Sequence, residues 1–259
     1  MITPLDVLKI ILYVIVGALT FVLLCVVVGF LLGLLTGWKK EYFKDSKFFR
    51  FIINSMTGLT LFLAGIRAKV KGMALPKGRF VIVGNHRSNW DPIVTWFKFR
   101  KINNISYISK PSNLKIPFYG RMVRRCCFLS IDQNSARSSV KTIDKAADLI
   151  NSDAVSIGVY PEGTRSKTCK LLRFHNGVFK IAQKANVPIV VVCVTGTEKV
   201  KNNFPWRRTK VVLNVLEVIP AERVQAMTTT EIGDEVKQKL ADALIEAGEQ
   251  PYDTEEKAA

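Results

Sequence analysis

The feature that most constrains this chain is a run of 29 residues without a charged side chain, from Ile10 to Trp38. A helix needs about 20 apolar residues to cross a bilayer, so the run predicts a transmembrane helix and a retained anchor over residues 1–40. The alternative is a cleaved signal peptide, whose apolar core is about 7–15 residues long and ends in small residues. Here the run is longer and ends in Gly37-Trp38-Lys39-Lys40, which favours the anchor.

Basic residues are concentrated on the C-terminal side of this run. Lys9 is the only base before it, and Asp6 opposes its charge. The bases that follow closely are Lys39, Lys40, Lys44, Lys47 and Arg50. Lys and Arg accumulate on the cytoplasmic side of membrane helices, so we expect a single-pass protein of the cell membrane whose remaining chain lies on the cytoplasmic face. The chain has five cysteines without the spacing of a disulfide framework or a zinc site, which agrees with a reducing compartment.

The charge of the chain predicts an anionic partner. Residues 38–230 contain 34 basic and 11 acidic residues, a net charge of +23, whereas residues 231–259 carry a net charge of −6. Such a surface attracts anionic membrane lipid, a phosphorylated substrate or nucleic acid. We expect no nucleic-acid partner, because the chain has no recognised nucleic-acid-binding module and begins with a long apolar run.

A second uncharged segment extends from Phe51 to Ile66. It is bracketed by Arg50 on one side and by Arg67, Lys69 and Lys71 on the other. Sixteen residues are few for a membrane span. The segment is either a buried helix of the main domain or a helix on the bilayer surface whose basic flanks contact lipid phosphates. We predict an amphipathic, interfacial helical segment over residues 41–71.

From Gly72 onward, short apolar runs alternate with helical patterns. The predicted strands are Arg79 to Gly84, Asn104 to Ser109, Cys127 to Ile131, Ala154 to Tyr160, Pro188 to Val194 and Lys210 to Val218. The predicted helices are Pro92 to Phe99, Ser135 to Asn151, Asn176 to Ala185 and Thr230 to Ala247. This alternation predicts an α/β fold with a mainly parallel sheet flanked by helices. The main domain is expected over residues 72–250, followed by a polar tail over residues 251–259.

Two polar clusters follow predicted strands, at the strand ends where such sheets bind their ligands. The first runs from Asn85 to Asp91 and the second from Tyr160 to Ser166. His86 is one of only two histidines, and it is the leading candidate for a base near neutral pH. Asp91 can reach its ring only if the chain turns before the following helix begins. The alternative role of Asp91 is to cap that helix, which would start at Pro92.

These two clusters resemble the glycerolipid acyltransferase family. The matching residues are Asn-His-x4-Asp at 85–91 and Tyr-Pro-Glu-Gly-Thr-Arg-Ser at 160–166. Within the family, the likeness is to the branch that acylates lysophosphatidic acid, and it extends over about residues 70–220. Lys110 to Gly120 with Phe128 to Asp132 and Val187 to Val192 resemble two further family blocks. Gln133 stands where the family has arginine, and Val191 where it has a second proline.

The resemblance implies a membrane-bound enzyme that transfers a fatty acyl group from acyl-CoA or acyl-acyl carrier protein to the sn-2 hydroxyl of lysophosphatidic acid. The product would be phosphatidic acid, and neither a metal nor an organic cofactor would be needed. His86 would be the general base, and Asp91 would orient it. One alternative is an acyltransferase acting on glycerol-3-phosphate or another lysophospholipid. An alternative of a different class is a non-catalytic basic protein that binds a membrane surface.

The resemblance also assigns substrate contacts. The residues expected to bind the substrate phosphate are Glu162, Gly163, Thr164, Arg165, Lys110 and Arg121. Arg165 can bind a phosphate through two parallel hydrogen bonds, whereas Glu162 is expected to position Arg165 or to bind a glycerol hydroxyl. The alternative for this cluster is an ordinary turn that contains Pro and Gly. The acyl-chain pocket is expected at Val187, Pro188 and Ile189.

Overall fold

The computed structural model of the chain describes residues 3–34, 36–37, 40–116, 119–132 and 135–252. The helices within these ranges are α1 (Pro4–Leu34), α2 (Lys47–Leu63), α3 (Trp90–Phe99), α4 (Tyr119–Arg124), α5 (Ala136–Asn151), α6 (Lys180–Ala185), α7 (Val200–Asn203), α8 (Ala221–Ala226) and α9 (Thr229–Glu246). The strands are β1 (Ile66–Gly72), β2 (Val81–Gly84), β3 (Ile105–Ser109), β4 (Leu129–Ser130), β5 (Ser156–Val159), β6 (Ile189–Thr195) and β7 (Thr209–Ile219).

The described strands form one sheet in the order β1-β7-β6-β2-β5-β3-β4. Neighbouring strands are parallel except for β6 and β7, which run antiparallel. The predicted α/β class and the mainly parallel sheet are thus confirmed. Because β1 and β7 run opposite to the other strands, their first residues lie at the edge where β2, β3, β5 and β6 end. We call this the site edge.

Helices cover both faces of the sheet. Alternate strand residues point to opposite faces, and apolar residues on each face pack against helices. Val81 and Val83 belong to the core cluster that includes α5, α6 and α9. Phe80 and Ile82 belong to the other cluster, to which α2, α3 and α4 contribute. Both faces of β2 are therefore buried, as the continuous apolar run in its sequence predicts.

Strand β1 corrects the predicted helical segment over residues 41–71. Its residues from Ile66 to Gly72 pair in parallel with β7 along the whole strand. Ile66, Ala68 and Val70 alternate with three basic residues, which is the two-residue period of a half-buried strand. The sequence prediction assigned those bases to lipid contact and overlooked the period. The sheet therefore begins before the predicted domain boundary at residue 72.

Helix α2 combines the two alternatives considered for the segment Phe51 to Ile66. One face is buried, and Arg50 on that face forms an ion pair with Asp45 (Nε to Oδ2, 2.6 Å) while its guanidinium lies over the Trp96 ring. The opposite face is apolar and exposed. Its exposed side chains are Phe48, Phe51, Leu59, Phe62 and Leu63. The helix is thus packed against the domain without burying all of its apolar surface.

Helix α1 covers most of the first uncharged run and contacts α4. Across the part of the chain that the structure describes, no helix has both the length and the apolar character that crossing a membrane requires. The transmembrane helix therefore stays a prediction for residues 1–40.

The C-terminal end of the described chain departs from the expected polar tail over residues 251–259. Pro251 is buried, and Tyr252 packs against the core cluster beneath α9. Residues 253–259 lie outside the described ranges. The first two residues of the predicted tail are therefore part of the packed domain.

Candidate active site

The first polar cluster begins where β2 ends at the site edge. Asn85 follows Gly84 directly and is buried. Its side chain exchanges two hydrogen bonds with the backbone of Val194 on β6, Nδ2 to the carbonyl at 2.9 Å and Oδ1 from the amide at 2.8 Å. This pair of bonds extends the β2–β6 contact past the strand end and sets where His86 begins.

His86 and Asp91 contact each other. The His86 Nδ1 atom lies 2.9 Å from Asp91 Oδ2, and the Asp91 side chain is fully buried. The segment between them turns before α3 begins at Trp90, as the proposed contact required. Since Nδ1 is taken by Asp91, Nε2 is the ring nitrogen that can accept a proton from a substrate.

Asp91 is held by several donors besides His86. Its Oδ2 accepts hydrogen bonds from the backbone amides of Arg87 and Ser88, both at 2.7 Å. Its Oδ1 accepts one from the Thr197 hydroxyl, which lies beyond the end of β6. Asp91 lies inside α3 and receives bonds from Arg87 and Ser88 in the loop before the helix and from Thr197 beyond β6. Helix capping alone therefore does not describe its role. The network fixes the carboxylate that faces the histidine.

The His86 ring stacks on Tyr160, the residue that follows β5. The ring centroids are 4.4 Å apart at an interplanar angle of 18°, and the Tyr107 ring also stacks on Tyr160, at 5.9 Å. Burial raises the pKa of the Tyr160 hydroxyl well above its usual value. Tyr160 therefore presents a neutral aromatic face, which holds the ring orientation without adding charge.

Glu162 supports the histidine through the backbone. Its Oε1 accepts from the His86 amide at 2.7 Å, and its Oε2 accepts from the Leu172 amide at 3.1 Å. Glu162 is 3% exposed, and burial raises the pKa of its carboxyl to about 7. The structure thus directs Glu162 to the loop that carries His86, and not to Arg165 or a bound phosphate as expected.

The remaining residues of the second cluster form a turn at the site edge. Gly163 has a φ of +64°, a conformation that favours glycine, and its amide donates to the Tyr160 carbonyl at 2.9 Å. The Lys110 Nζ lies 3.4 Å from the Thr164 hydroxyl, and Arg165 is exposed. This turn lies next to His86, because the Ser166 amide donates to the His86 carbonyl at 2.8 Å, and two exposed cations lie at it, Lys110 and Arg165.

Four other predicted residues are placed elsewhere. Arg121 lies on α4, where its Nη1 donates to the Gly33 carbonyl of α1 at 3.0 Å. Val187, Pro188 and Ile189 lie at the start of β6, because Ile189 pairs with Val81 at the start of β2. That is the sheet edge opposite His86, so the structure does not bring the expected acyl-chain residues to the site. Gln133 lies outside the described residues.

Three buried thiols are poor nucleophiles. Burial raises the pKa of Cys126, Cys127 and Cys193 to about 12, so each is protonated near neutral pH. Among the described residues, no three His, Cys, Asp or Glu side chains are grouped in a way that could hold a metal ion. The arrangement that can do chemistry is the histidine with its buried carboxylate.

Residues 67–195 match the family model described as Acyltransferase. This segment is a domain of the acyltransferase family. The matched segment runs from β1 to the end of β6 and includes both polar clusters. The chain is therefore an acyltransferase, and the strand missed by the sequence prediction is part of the family domain.

Named relatives support this assignment. The 1-acyl-sn-glycerol-3-phosphate acyltransferase of Limnanthes douglasii is 26% identical over 214 residues, which are 81% of this chain and 72% of that protein. The protein of the same name from Escherichia coli (strain K12) is 33% identical over 143 residues, 55% of this chain and 56% of its own length. The acyltransferase thus spans little more than half of that bacterial relative.

A solved structure has the same fold. It is the crystal structure of the 1-acyl-sn-glycerophosphate (LPA) acyltransferase PlsC from Thermotoga maritima, which superposes with a TM-score of 0.63. The sequences are 23% identical, and the superposition covers 79% of this chain and 81% of that one. The likeness establishes a shared architecture for the acyltransferase.

Sequence reasoning missed two side chains of this acyltransferase site. Thr197 is 106 positions from Asp91 along the chain, and nothing in its local sequence marks it as a partner of that carboxylate. Tyr160 was recognised as part of the second cluster but was given no role. Both contacts depend on the neighbouring positions of β2, β5 and β6, which are set by strand order.

Proposed function

We propose that this acyltransferase moves a fatty acyl group from acyl-CoA or acyl-acyl carrier protein to the sn-2 hydroxyl of lysophosphatidic acid. The observation that carries the proposal is the contact of His86 with the buried carboxylate of Asp91, next to a turn at which two exposed cations lie, Lys110 and Arg165. A base next to a phosphate-binding surface fits an acceptor that carries both a hydroxyl and a phosphate. The names of the relatives support the same acceptor.

In the proposed reaction, His86 Nε2 takes the proton of the acceptor hydroxyl as the oxygen attacks the thioester carbonyl. A tetrahedral oxyanion forms and then collapses, with cleavage of the carbon–sulfur bond. The departing thiolate takes the proton back from the imidazolium, so no net proton is consumed. Asp91 holds Nδ1 and stabilises the transient imidazolium. Such a base contributes about 10²–10⁴-fold to the rate, and no metal, organic cofactor or covalent acyl-enzyme intermediate is required.

The phosphate of the acceptor is proposed to bind at the turn after β5. Arg165 can form two parallel hydrogen bonds with it, and Lys110 adds a second positive charge. Gly163 adopts a positive φ and has no Cβ, so the phosphate can approach its backbone closely. The Thr164 hydroxyl can donate a hydrogen bond to a phosphate oxygen. Glu162 is buried beneath this surface and is excluded from the proposed phosphate contact.

The proposal is tested by an acceptor panel with both donor types. Lysophosphatidic acid, glycerol-3-phosphate and other lysophospholipids are supplied in turn with acyl-CoA or acyl carrier protein thioesters, and the lipid product is identified by mass spectrometry. We expect phosphatidic acid acylated at sn-2 as the main product. A clear preference for another acceptor would replace the proposed substrate. Absence of thioester consumption with every acceptor would favour the non-catalytic membrane protein.

Replacing Arg165 with alanine is expected to raise the KM for lysophosphatidic acid about 10- to 100-fold, while the KM for the acyl donor changes by less than about threefold. Hydrogen bonds to charged groups are worth about 1.5–3 kcal/mol, and Arg165 supplies the planar pair. Steady-state kinetics with each substrate varied in turn measure the effect. Lys180→Ala, an exposed base on α6, is the charge control. A raised donor KM with an unchanged acceptor KM would place Arg165 at the donor site.

We also propose that the enzyme works at the cytoplasmic face of the cell membrane, anchored by residues 1–40. The uncharged run and the basic residues after it support the anchor. A second contact is supported by α2, whose last turn exposes Phe62 and Leu63 by 79% and 64% just before β1 begins. Because β1 starts at the site edge, these side chains lie at the same edge of the sheet as His86.

The loop before β7 extends this apolar surface. Trp206 is 90% exposed, and the loop is joined to the end of α2 by a 3.0 Å hydrogen bond from the Thr209 amide to the Gly65 carbonyl. The surrounding exposed bases are Arg67, Lys69, Arg207, Arg208 and Lys210. Aromatic tips with basic neighbours are typical of surfaces that bind anionic bilayers. A lipid acceptor could then reach the site edge from the bilayer.

A protein lacking residues 1–40 is expected to sediment with anionic vesicles at low salt and to be partly released at high salt. Each base near such a surface contributes about 1 kcal/mol, and salt screens that attraction. Adding Trp206→Ser to the truncated protein should weaken vesicle binding. The control Ile245→Ser, which also replaces an exposed apolar side chain by serine but on α9, should not. The full chain should stay bound at both salt concentrations. A truncated protein that is soluble at low salt yet fully active on vesicles would contradict this docking surface.

A further inference from the structure

The segment from Gly248 to Tyr252, which we call the strap, folds back from α9 toward the loop that carries His86. Gly248 has a φ of +78°, and the Glu249 amide donates to the Leu244 carbonyl at 2.9 Å, which ends the helix and reverses the chain. Tyr252 packs against the core, and the Lys237 ammonium lies over its ring. Contacts of Tyr252 thus hold the C-terminal end of the strap against the domain.

Glu249 of the strap forms an ion pair with Arg87, the residue directly after His86. The Arg87 Nη2 lies 2.5 Å from Glu249 Oε2, and the Arg87 side chain is 5% exposed. Glu198 is a more distant partner, with 3.9 Å between Arg87 Nη1 and Glu198 Oε2. Burial by itself lowers the pKa of Arg87, but Glu249 and the charge of Glu198 raise it well above the usual value. Arg87 is therefore a buried cation whose compensation depends mainly on Glu249.

Arg87 is connected to the reacting pair through its own backbone. Its amide donates to Asp91 Oδ2, the same oxygen that contacts the His86 ring. Its weaker partner Glu198 is the neighbour of Thr197, which donates to Asp91 Oδ1. Arg87 is thus linked to one oxygen of the carboxylate directly and to the other through the Glu198–Thr197 segment.

A second route runs from the strap to His86 through Glu162. The Leu171 amide donates to the Pro251 carbonyl at 2.8 Å, and the next amide, of Leu172, donates to Glu162. Glu162 in turn accepts from the His86 amide. The two routes meet at His86 from opposite sides, one through the side chain of its neighbour and one through its own backbone.

From these contacts we infer that Glu249 is a positioning residue for acyl transfer: the strap holds the His86 loop in the geometry that the reaction needs. The inference adds a structural requirement to the reaction under Proposed function. Without the Glu249 charge, Arg87 would be left buried without its close partner and would move toward water. Its amide would then shift against Asp91, and the His86–Asp91 contact would loosen. Among the contacts that the structure describes, Glu249 pairs with Arg87 and not with Lys110 or Arg165, the residues proposed to bind the phosphate.

The experiment uses the full-length protein with four variants: Glu249→Gln, Arg87→Gln, the double variant of both, and Glu246→Gln as the matched control. Glu246 is exposed at the end of α9, three residues before Glu249. Two quantities are measured on folded protein: kcat and KM for both substrates, and amide hydrogen exchange of the peptide that contains residues 86–91.

We expect Glu249→Gln to lower kcat about tenfold, which corresponds to about 1.4 kcal/mol in the barrier, with both KM values within about twofold of wild type. Exchange of the 86–91 peptide should be faster. The double variant should be no worse than the more impaired single variant, because both changes break one interaction. Glu246→Gln should match wild type in both measurements.

A Glu249→Gln variant whose kcat lies within twofold of wild type, or whose 86–91 exchange is unchanged, would overturn the inference. So would equal effects of Glu249→Gln and Glu246→Gln. If Glu249→Gln does not fold, the double variant removes both buried charges, and its kcat and exchange decide in the same way. If wild type itself transfers no acyl group to any acceptor, the proposed function fails, and the exchange measurement alone decides whether the strap holds the loop.

Discussion

Replacing His86 with alanine is expected to lower kcat by at least about 100-fold and to leave the fold intact. The imidazole Nε2 is the atom proposed to take the hydroxyl proton, and a general base contributes about 10²–10⁴-fold. The fold should survive, because the His86 backbone amide would still donate to Glu162. Thiol release from the acyl donor measures turnover, and the melting temperature measures stability.

The matched control for this change is His175→Ala, since the chain has only two histidines and His175 is exposed. That variant should keep its activity. A His86→Ala protein that is folded and retains more than a few per cent of the wild-type rate, roughly the smallest contribution of a positioned base, would show that His86 is not the general base.

Changing Asp91 to asparagine is expected to lower kcat by about 100-fold and to lower the melting temperature. Asparagine removes the charge that stabilises the imidazolium, and its NH₂ group replaces one of the two oxygens, so either the Arg87 and Ser88 amides or the Thr197 hydroxyl lose their acceptor. Leaving buried donors without acceptors costs about 1–3 kcal/mol, so part of the effect appears as lost stability. Kinetics and thermal unfolding of the same preparation separate the two effects.

Thr197→Val is the control that separates the orientation of the Asp91 carboxylate from its charge. It removes one donor to Asp91 Oδ1 and leaves the His86 contact in place. Its kcat should fall by much less than that of Asp91→Asn. An Asp91→Asn enzyme with normal kcat and reduced stability would assign Asp91 a structural role only.

Local patterns carried the prediction of the central sheet. The run Phe80 to Gly84 is apolar on both faces and is followed by polar residues, which is enough to predict a buried strand with a site at its end. Strand β1 was not predicted, because its three bases were assigned to lipid contact although they alternate with Ile66, Ala68 and Val70. As the outermost strand beside β7, it buries only part of one face, so its apolar signal is weak.

The pairing of His86 with Asp91 was predictable because a short loop joins His86, just past the end of a strand, to Asp91 in the first turn of the next helix. The role of Glu162 was not, since its position beneath the His86 amide depends on β5 lying next to β2. The expected acyl-chain residues Val187 to Ile189 show the reverse case. They belong to a family block, but strand direction places them at the edge opposite the histidine.

The sequence by itself determined the α/β class, the basic character of residues 38–230, and the two polar clusters that identify an acyltransferase. These features depend on residues close together along the chain, where hydrophobic period and turn chemistry act locally. The tertiary structure alone decided that Glu162 lies beneath the His86 amide, that Thr197 reaches Asp91, and that Glu249 lies against Arg87. Those contacts join segments up to 162 positions apart, and only the order and direction of the strands bring such segments together.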